Sequence, residues 1–415
     1  MKRSVSFKKF SGSISAPPSK SAALRALAIA LLKKTDTELY NASGSEDILN
    51  TIEVIKILGA EVNSNGTGMI IKGGLDPVSD TVNVGESGLA VRMFSPIVSL
   101  LENEICFTGE GSLLKRPVSM VEEPLRMLGV KVESEKGFLP LKIKGPIVNN
   151  TVEIDGSISS QFLTGMLISK GETDSVFKVI TNNLKSRPYV DLTIRMMSDF
   201  GIQVANNDYT EFIIQPGQQY TGSRYTVEGD WSGASFFIAA AAFSGEITIT
   251  GLDADSAQAD IAMLEAVKLA GAGVFVSNGE VRVIKGNVRP FEFDASECPD
   301  LFPPLVSLAA NINGTSAIKG VHRLKHKESD RGLVLKKEFA KLGIEIIIEN
   351  DLMKITGGTL KSGVISSNND HRIAMAGAVA AASGQVKVEI TESDAVNKSY
   401  SRFYDDIIST GGNVE

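Results

Sequence analysis

Short apolar strands alternate along the chain with two kinds of helix, and one phrase returns six times: an amphipathic helix, a glycine, then an apolar strand. It reads Leu58-Gly59-Ala60, Leu128-Gly129-Val130, Phe200-Gly201-Ile202, Ala270-Gly271-Ala272, Leu342-Gly343-Ile344 and Thr410-Gly411-Gly412. Glycine suits this position because it takes the left-handed conformation that closes a helix and turns the chain into a strand. The spacing of roughly 70 residues marks a repeated supersecondary unit. A second phrase lies between these: an alternating strand, a turn of Gly, Asp, Asn or Ser, and a helix rich in small apolar residues. Its copies span 14–30, 82–100, 152–168, 225–243, 291–310 and 364–382. Small-residue helices next to alternating strands predict an α/β fold with helices packed closely under sheets.

A chain of 415 residues exceeds one ordinary core, so six units group most economically as two domains of three. The Pro17-Pro18 break and the Glu228-Gly229-Asp230 turn are the natural points for the chain to cross between them. A net charge of −7 argues against nucleic acid or an anionic membrane as the main partner. Cys106 and Cys298 are the only cysteines, the N-terminus lacks an apolar signal core, and the most apolar run, 236–243, is too short to span a bilayer. A reduced cytoplasmic compartment is expected.

Basic residues in this acidic chain gather at helix starts, where unpaired backbone N–H groups and the helix dipole favour anions. The first small-residue helix opens with Ser19-Lys20-Ser21 and carries Arg25; the second opens with Gly85-Glu86-Ser87-Gly88 and carries Arg92. The third offers Ser157, Ser159, Ser160 and Gln161, the fifth Glu297 and Asp300, the sixth Asp370-His371-Arg372. Two denser clusters are Lys115-Arg116-Pro117 and the run from His322 to Arg331, in which Lys327, Glu328 and Arg331 are expected within one helical turn. Cations beside a carboxylate hold it ionised and suit proton transfer. For any one cluster an ordinary salt-bridged helix start competes, but repetition at several starts implies a polyanionic small-molecule ligand. Lys20-Ser21 is no nucleotide P-loop, since Pro17 and Pro18 lack the N–H groups that would wrap phosphate. His322 and His326 have metal-ligand spacing, but Arg323, Lys325 and Lys327 would repel a dication, so no metal is expected. A dinucleotide is unsupported, as no Gly-x-Gly-x-x-Gly follows a strand, and no cofactor is expected. Cys298 suits packing better than nucleophilic attack.

In order and spacing these phrases resemble the 5-enolpyruvylshikimate-3-phosphate synthase (3-phosphoshikimate 1-carboxyvinyltransferase) family along nearly the whole chain. The matching residues are Ser19-Lys20-Ser21 with Arg25, Gly85-x-x-Gly88 with Arg92, Lys115-Arg116-Pro117, Asp155 to Gln161, Ser186-Arg187-Pro188-Tyr189, Pro299-Asp300, Lys327 to Arg331, and Asp370-His371-Arg372. The resemblance implies a two-domain enolpyruvyl-transferase fold, an inside-out α/β barrel of six βαβαββ repeats, three per domain. Residues 1–18 plus 229–415 would form one domain and 19–228 the other. It implies a monomeric cytoplasmic transferase of the shikimate pathway whose partners are shikimate 3-phosphate and phosphoenolpyruvate. Shikimate 3-phosphate maps to Lys20, Ser21, Arg25, Ser159, Ser160, Gln161, Ser186, Asp300 and Lys327. Phosphoenolpyruvate maps to Lys20, Gly88, Arg116, Gln161, Arg331, Arg372 and Lys398. Lys20, Asp300 and Glu328 are the implied catalytic groups.

The second turn departs from the family's usual Gly-Asn-Ala-Gly-Thr, and its Glu86 should repel an anionic substrate unless it points away or pairs with an arginine. Leu24 and Arg323 also stand where asparagine is frequent. These changes bear on phosphoenolpyruvate affinity and glyphosate sensitivity rather than on the reaction. The related UDP-N-acetylglucosamine enolpyruvyl transferases typically carry a cysteine in the loop that here reads Gly111 to Arg116, and this chain has none. A non-catalytic anion-binding protein on the same fold would be expected to lose Asp300 or Glu328, and both stand.

Overall fold

The computed structural model describes residues 1–415 except Ser43, Thr67, Asn278, His326 and Gln385. The chain divides into two compact units: Met1–Ser19 with Gly44–Glu46 and Glu228–Glu415, and Lys20–Ser43 with Asp47–Val227. Each unit holds three of six separate four-stranded sheets. Each sheet is open, and among the described residues none closes into a barrel.

The sheets share one plan. In the third repeat Thr151–Asp155 pairs parallel with Phe177–Asn182, which pairs antiparallel with Glu211–Ile214, with Val204–Asn207 at the edge. The helices Gln161–Ser169 and Arg187–Asp199 link the first three strands in sequence, giving βαβαββ. Three first or last strands come from far along the chain. Ser11–Ser15 pairs parallel with Glu246–Thr250, whereas Arg224–Thr226 pairs parallel with Asp36–Tyr40. Lys2–Phe7 completes the last sheet between Lys387–Thr391 and Gly412–Val414. The segments on either side of this exchange pair in the first unit: Asp230 N–H donates to the Pro17 carbonyl at 2.7 Å and Ser19 N–H to the Glu228 carbonyl at 2.8 Å.

The small-residue helices form the cores. Every residue from Trp231 to Phe243 is buried in the helix Trp231–Ser244, which packs with Phe302–Ala310 and His371–Ala380. In the other unit Gly88–Val98 packs on Gln161–Ser169 so closely that a Cβ at Gly165 would lie 2.2 Å from the Met93 carbonyl oxygen. The polar turns before these helices serve as caps: Ser87 accepts from Ala90 N–H, Asp230 from Ser232 and Gly233, and Asp370 from Arg372. The six helix-ending glycines, Gly59, Gly129, Gly201, Gly271, Gly343 and Gly411, all take positive φ, between 85° and 114°.

A second glycine position recurs where the last hairpin strand passes the C-terminus of the small-residue helix. A Cβ at Gly73 would meet the Ala30 carbonyl oxygen at 2.1 Å, at Gly145 that of Ser99 at 2.1 Å, and at Gly357 that of Ala309 at 1.9 Å. A methyl group there forces the strand off the helix, so Gly357→Ala is expected to lower stability by about 1–3 kcal/mol. Gly358→Ala, whose Cβ would meet only Asn313 at 3.6 Å, serves as control. Denaturant midpoints of the two variants check this, and equal midpoints would refute it.

Candidate active site

In the unit containing Lys20, the helices Lys20–Leu32, Gln161–Ser169 and Arg187–Asp199 meet around Arg25. Its guanidinium donates to Thr193 Oγ1 at 2.9 Å, the Ser21 carbonyl at 2.7 Å, Thr164 Oγ1 at 3.3 Å and the Tyr189 carbonyl at 3.1 Å. Only 2% of the residue is exposed, and among the described residues no carboxylate pairs with it. Burial pulls its pKa down to about 10, so it stays cationic at neutral pH. An arginine held by neutral oxygens alone leaves its charge uncompensated, which favours an anion nearby.

The same unit carries the second and third of the predicted helix starts. Lys20, the first helical residue, pairs with Asp47 of the helix Glu46–Ile57 at 2.8 Å, a partner sequence reasoning missed. Ser159 Oγ accepts from Gln161 N–H at 3.2 Å where that helix begins, and Ser160 is buried beside it. Gln161 Oε1 accepts from Arg92 at 2.9 Å. Ser186 takes a left-handed conformation, φ 57°, before the helix Arg187–Asp199. Gly88 opens its helix with the Arg116 guanidinium against it; a Cβ there would lie 2.6–2.9 Å from the guanidinium atoms. Glu86, expected to repel an anion, turns its carboxylate onto Ser112, accepting from N–H and Oγ at 2.8 Å each.

The other unit gathers the remaining predicted residues. Asp300, in the turn Pro299–Leu301, accepts from Lys327 Nζ at 3.1 Å, Arg331 Nη1 at 2.8 Å and Arg372 Nη2 at 3.2 Å. Arg331 also pairs with Glu328 and, through Nε at 2.8 Å and Nη2 at 3.2 Å, with Asp370. Asp370, to which the sequence motif assigns no role, is fully buried, accepts from Ser329 Oγ at 2.9 Å and caps the helix carrying Arg372. Lys398 Nζ donates to the Asn369 carbonyl at 2.7 Å. Lys327, Glu328 and Arg331 do not share a helical turn. Asp330 caps Leu333 N–H, so the helix begins at Arg331 and the other two lie in the bends before it.

Burial alone would raise the Asp300 pKa, but Arg372, Lys327 and Arg331 outweigh it and hold the carboxyl well below its ordinary range. For Lys327 burial dominates and lowers the pKa despite Asp300. Arg331 is raised because Asp370, Glu328 and Asp300 overcome its burial. Among the described residues no group of three or more His, Cys, Asp or Glu is arranged to hold a metal. His322 Nδ1 lies against Asp351, and His326 falls outside the described residues.

A carboxylate depressed in the folded state adds stability above its unfolded pKa, about 3.9, and that stability is lost as pH falls through the folded value. Asp300→Asn is therefore expected to be less stable than the wild type at pH 7, with the gap narrowing as pH drops from about 5 towards 2. Denaturant midpoints across that range check the sign; a constant gap would mean that the charge of Asp300 is not what matters.

Residues 6–407 match the family EPSP synthase (3-phosphoshikimate 1-carboxyvinyltransferase). The chain is 38% identical over 420 residues to a 3-phosphoshikimate 1-carboxyvinyltransferase of Clostridium novyi, covering 98% of this chain and 97% of that one. It is 37% identical over 410 residues to one of Clostridium perfringens, covering 97% of each. Among solved structures, EPSP synthase from Acinetobacter baumannii matches with a TM-score of 0.82 at 25% identity over the whole of both chains. The enolpyruvyl transferase NikO from Streptomyces tendae shares the fold, with a TM-score of 0.77 at 15% identity over 100% of this chain and 98% of that one. The chain therefore belongs to the EPSP synthase, or 3-phosphoshikimate 1-carboxyvinyltransferase, family, the enolpyruvyl transferases of the shikimate pathway.

Proposed function

We propose that the chain carries out its family's reaction with Lys20, Asp300 and Glu328 as catalytic groups. The enzyme transfers the enolpyruvyl group of phosphoenolpyruvate to the 5-hydroxyl of shikimate 3-phosphate and releases phosphate, the step that leads towards chorismate and the aromatic amino acids. In the addition step the methylene carbon of phosphoenolpyruvate gains a proton while the 5-hydroxyl oxygen, losing its own, bonds to the adjacent carbon. Elimination removes a proton from the new methyl group, restores the double bond and breaks the carbon–oxygen bond to phosphate.

Asp300 takes the hydroxyl proton, and Glu328 gives and then removes the proton at the methylene carbon. Lys20 contacts both substrates and assists the leaving phosphate. The observation that carries this reading is the pair of carboxylates, Asp300 and Glu328, joined through one buried arginine inside a ring of cations. Such a ring holds Asp300 ionised and leaves positive charge for anions. Arg116, Arg331, Arg372 and Lys398 supply the charge for the carboxylate and phosphate of phosphoenolpyruvate with Gly88 and Gln161; arginine suits their bidentate geometry. Arg372 and Lys327 are also the strongest lowering influences on Asp300. Anions that share those cations return basicity to Asp300, so substrate binding itself prepares the base. Shikimate 3-phosphate rests on Ser21, Arg25, Ser159, Ser160 and Ser186 together with Lys327. The domains are assigned as residues 1–18 plus 229–415 and 19–228, from which the compact units differ at Ser19, Glu228 and Gly44–Glu46, and the enzyme is assigned as a cytoplasmic monomer. Among the described residues no helix is long and apolar enough to cross a membrane.

Phosphate release from phosphoenolpyruvate, measured with shikimate 3-phosphate and separately with UDP-N-acetylglucosamine, tests the reading. Release with the first alone is expected; release with neither would exclude it. Glu328→Gln is expected to bind both substrates while turnover falls at least about 100-fold. Near-normal turnover would remove Glu328 from its assigned role.

A further inference from the structure

We propose that Glu86 is a positioning residue: its carboxylate fastens the loop 109–116 to the start of the Gly88 helix and so sets where Arg116 lies. The inference rests on the reading of Arg116 given above, but the geometry it uses belongs to one unit.

Two turns of the second repeat run side by side, joined by uncharged and charged hydrogen bonds. Glu110 N–H donates to the Gly85 carbonyl at 2.8 Å, Gly85 N–H to Asn83 Oδ1 at 2.8 Å, and Asn83 Nδ2 to Glu110 Oε1 at 2.8 Å. Glu86 adds the attachment nearest the helix start, one oxygen receiving both the N–H and the Oγ–H of Ser112. The loop is shaped for this carboxylate. Gly111 takes φ +51°, and a Cβ there would lie 2.4–2.6 Å from the carboxyl carbon and both oxygens of Glu86. From this anchor the chain makes the turn Gly111–Lys115, drives Leu113 into the core, and closes with Arg116 N–H on the Leu113 carbonyl at 3.0 Å. Arg116 then lies flat on Gly88. Beyond it the Pro117 carbonyl is held by Arg92 at 3.1 Å. The arginine is thus fixed from both sides, by Glu86 before it and Arg92 after it.

Hydrogen bonds to a carboxylate are stronger than those to an amide, and glutamate reaches one methylene further than asparagine. The residue that looks like a misplaced negative charge therefore works through geometry. The two interpretations differ in sign. If Glu86 chiefly repels phosphoenolpyruvate, neutralising it lowers KM; if it holds the loop, deleting it raises KM and retaining an acceptor preserves it.

The experiment measures steady-state phosphate release by the purified full-length wild type, Glu86→Ala, Glu86→Gln and Gly111→Ala, alongside trypsin cleavage after the exposed Lys115. Glu86→Ala is expected to raise KM for phosphoenolpyruvate about tenfold or more with kcat within about threefold, and to speed cleavage at Lys115. Glu86→Gln keeps an oxygen acceptor for Ser112 and is expected to stay within about threefold of the wild type in KM. Gly111→Ala, which pushes the carboxylate off the loop, reproduces Glu86→Ala. A lowered KM in both Glu86 variants, or Glu86→Ala with KM and cleavage both unchanged, overturns the proposal. Faster cleavage without any change in KM overturns the link to Arg116. A wild type that releases no phosphate overturns the functional reading instead, while the cleavage comparison still reports whether Glu86 holds the loop.

Discussion

Arg331 is 1% exposed and faces three carboxylates, Asp300, Glu328 and Asp370. Removing such a cation from water costs several kcal/mol, of the order of what a buried ion pair recovers only with good geometry and satisfied donors. Here Nε and Nη2 grip Asp370, which is itself buried and tied to Ser329 and to the first turn of the next helix. With that pair fixed, the remaining donors of Arg331 orient Asp300 and Glu328. The two proposed proton-transfer groups thus share a rigid partner, which keeps their separation from drifting and binds their protonation to one local charge balance.

The two units treat a buried arginine in opposite ways. Arg331 is surrounded by anions, whereas Arg25 is held by two hydroxyls and two carbonyls and retains its field. Neutral oxygens fix a guanidinium without cancelling its charge. In the first arrangement the arginine organises acids; in the second it leaves positive potential beside the starts of helices whose dipoles point the same way.

Much of this was legible in the sequence because it is local. Helix-closing glycines, the turns before small-residue helices and the period of apolar positions are each written within a few residues, and Gly59 through Gly411 all proved left-handed. The start of the helix at Arg331 is a counter-example: the sequence reading puts Lys327, Glu328 and Arg331 within one turn, whereas the Asp330 cap on Leu333 N–H starts the helix after the first two. Partners were not legible. Nothing near Lys20 announces Asp47, nothing near Arg25 announces Thr164 or Thr193, and nothing near Glu86 names Ser112, because those pairings depend on how distant turns are brought together. The strand exchange is equally silent: Ser11–Ser15 and Arg224–Thr226 have the alternation of any first strand, and pairing partners are a property of the whole fold.

That exchange has a consequence for the order in which a ribosome delivers the chain. The unit beginning at Lys20 is complete once Arg224–Thr226 emerges, so all three of its sheets can form while the second half is still unmade. The first strands synthesised wait longest. Ser11–Ser15 has no partner until Glu246–Thr250 appears, and Lys2–Phe7 must stay unpaired until Lys387–Thr391 and Gly412–Val414 are available. Pairings this distant form slowly and leave open strand edges meanwhile. The strands Lys2–Phe7 and Ser11–Ser15, made before all their partners, are the last to be folded in.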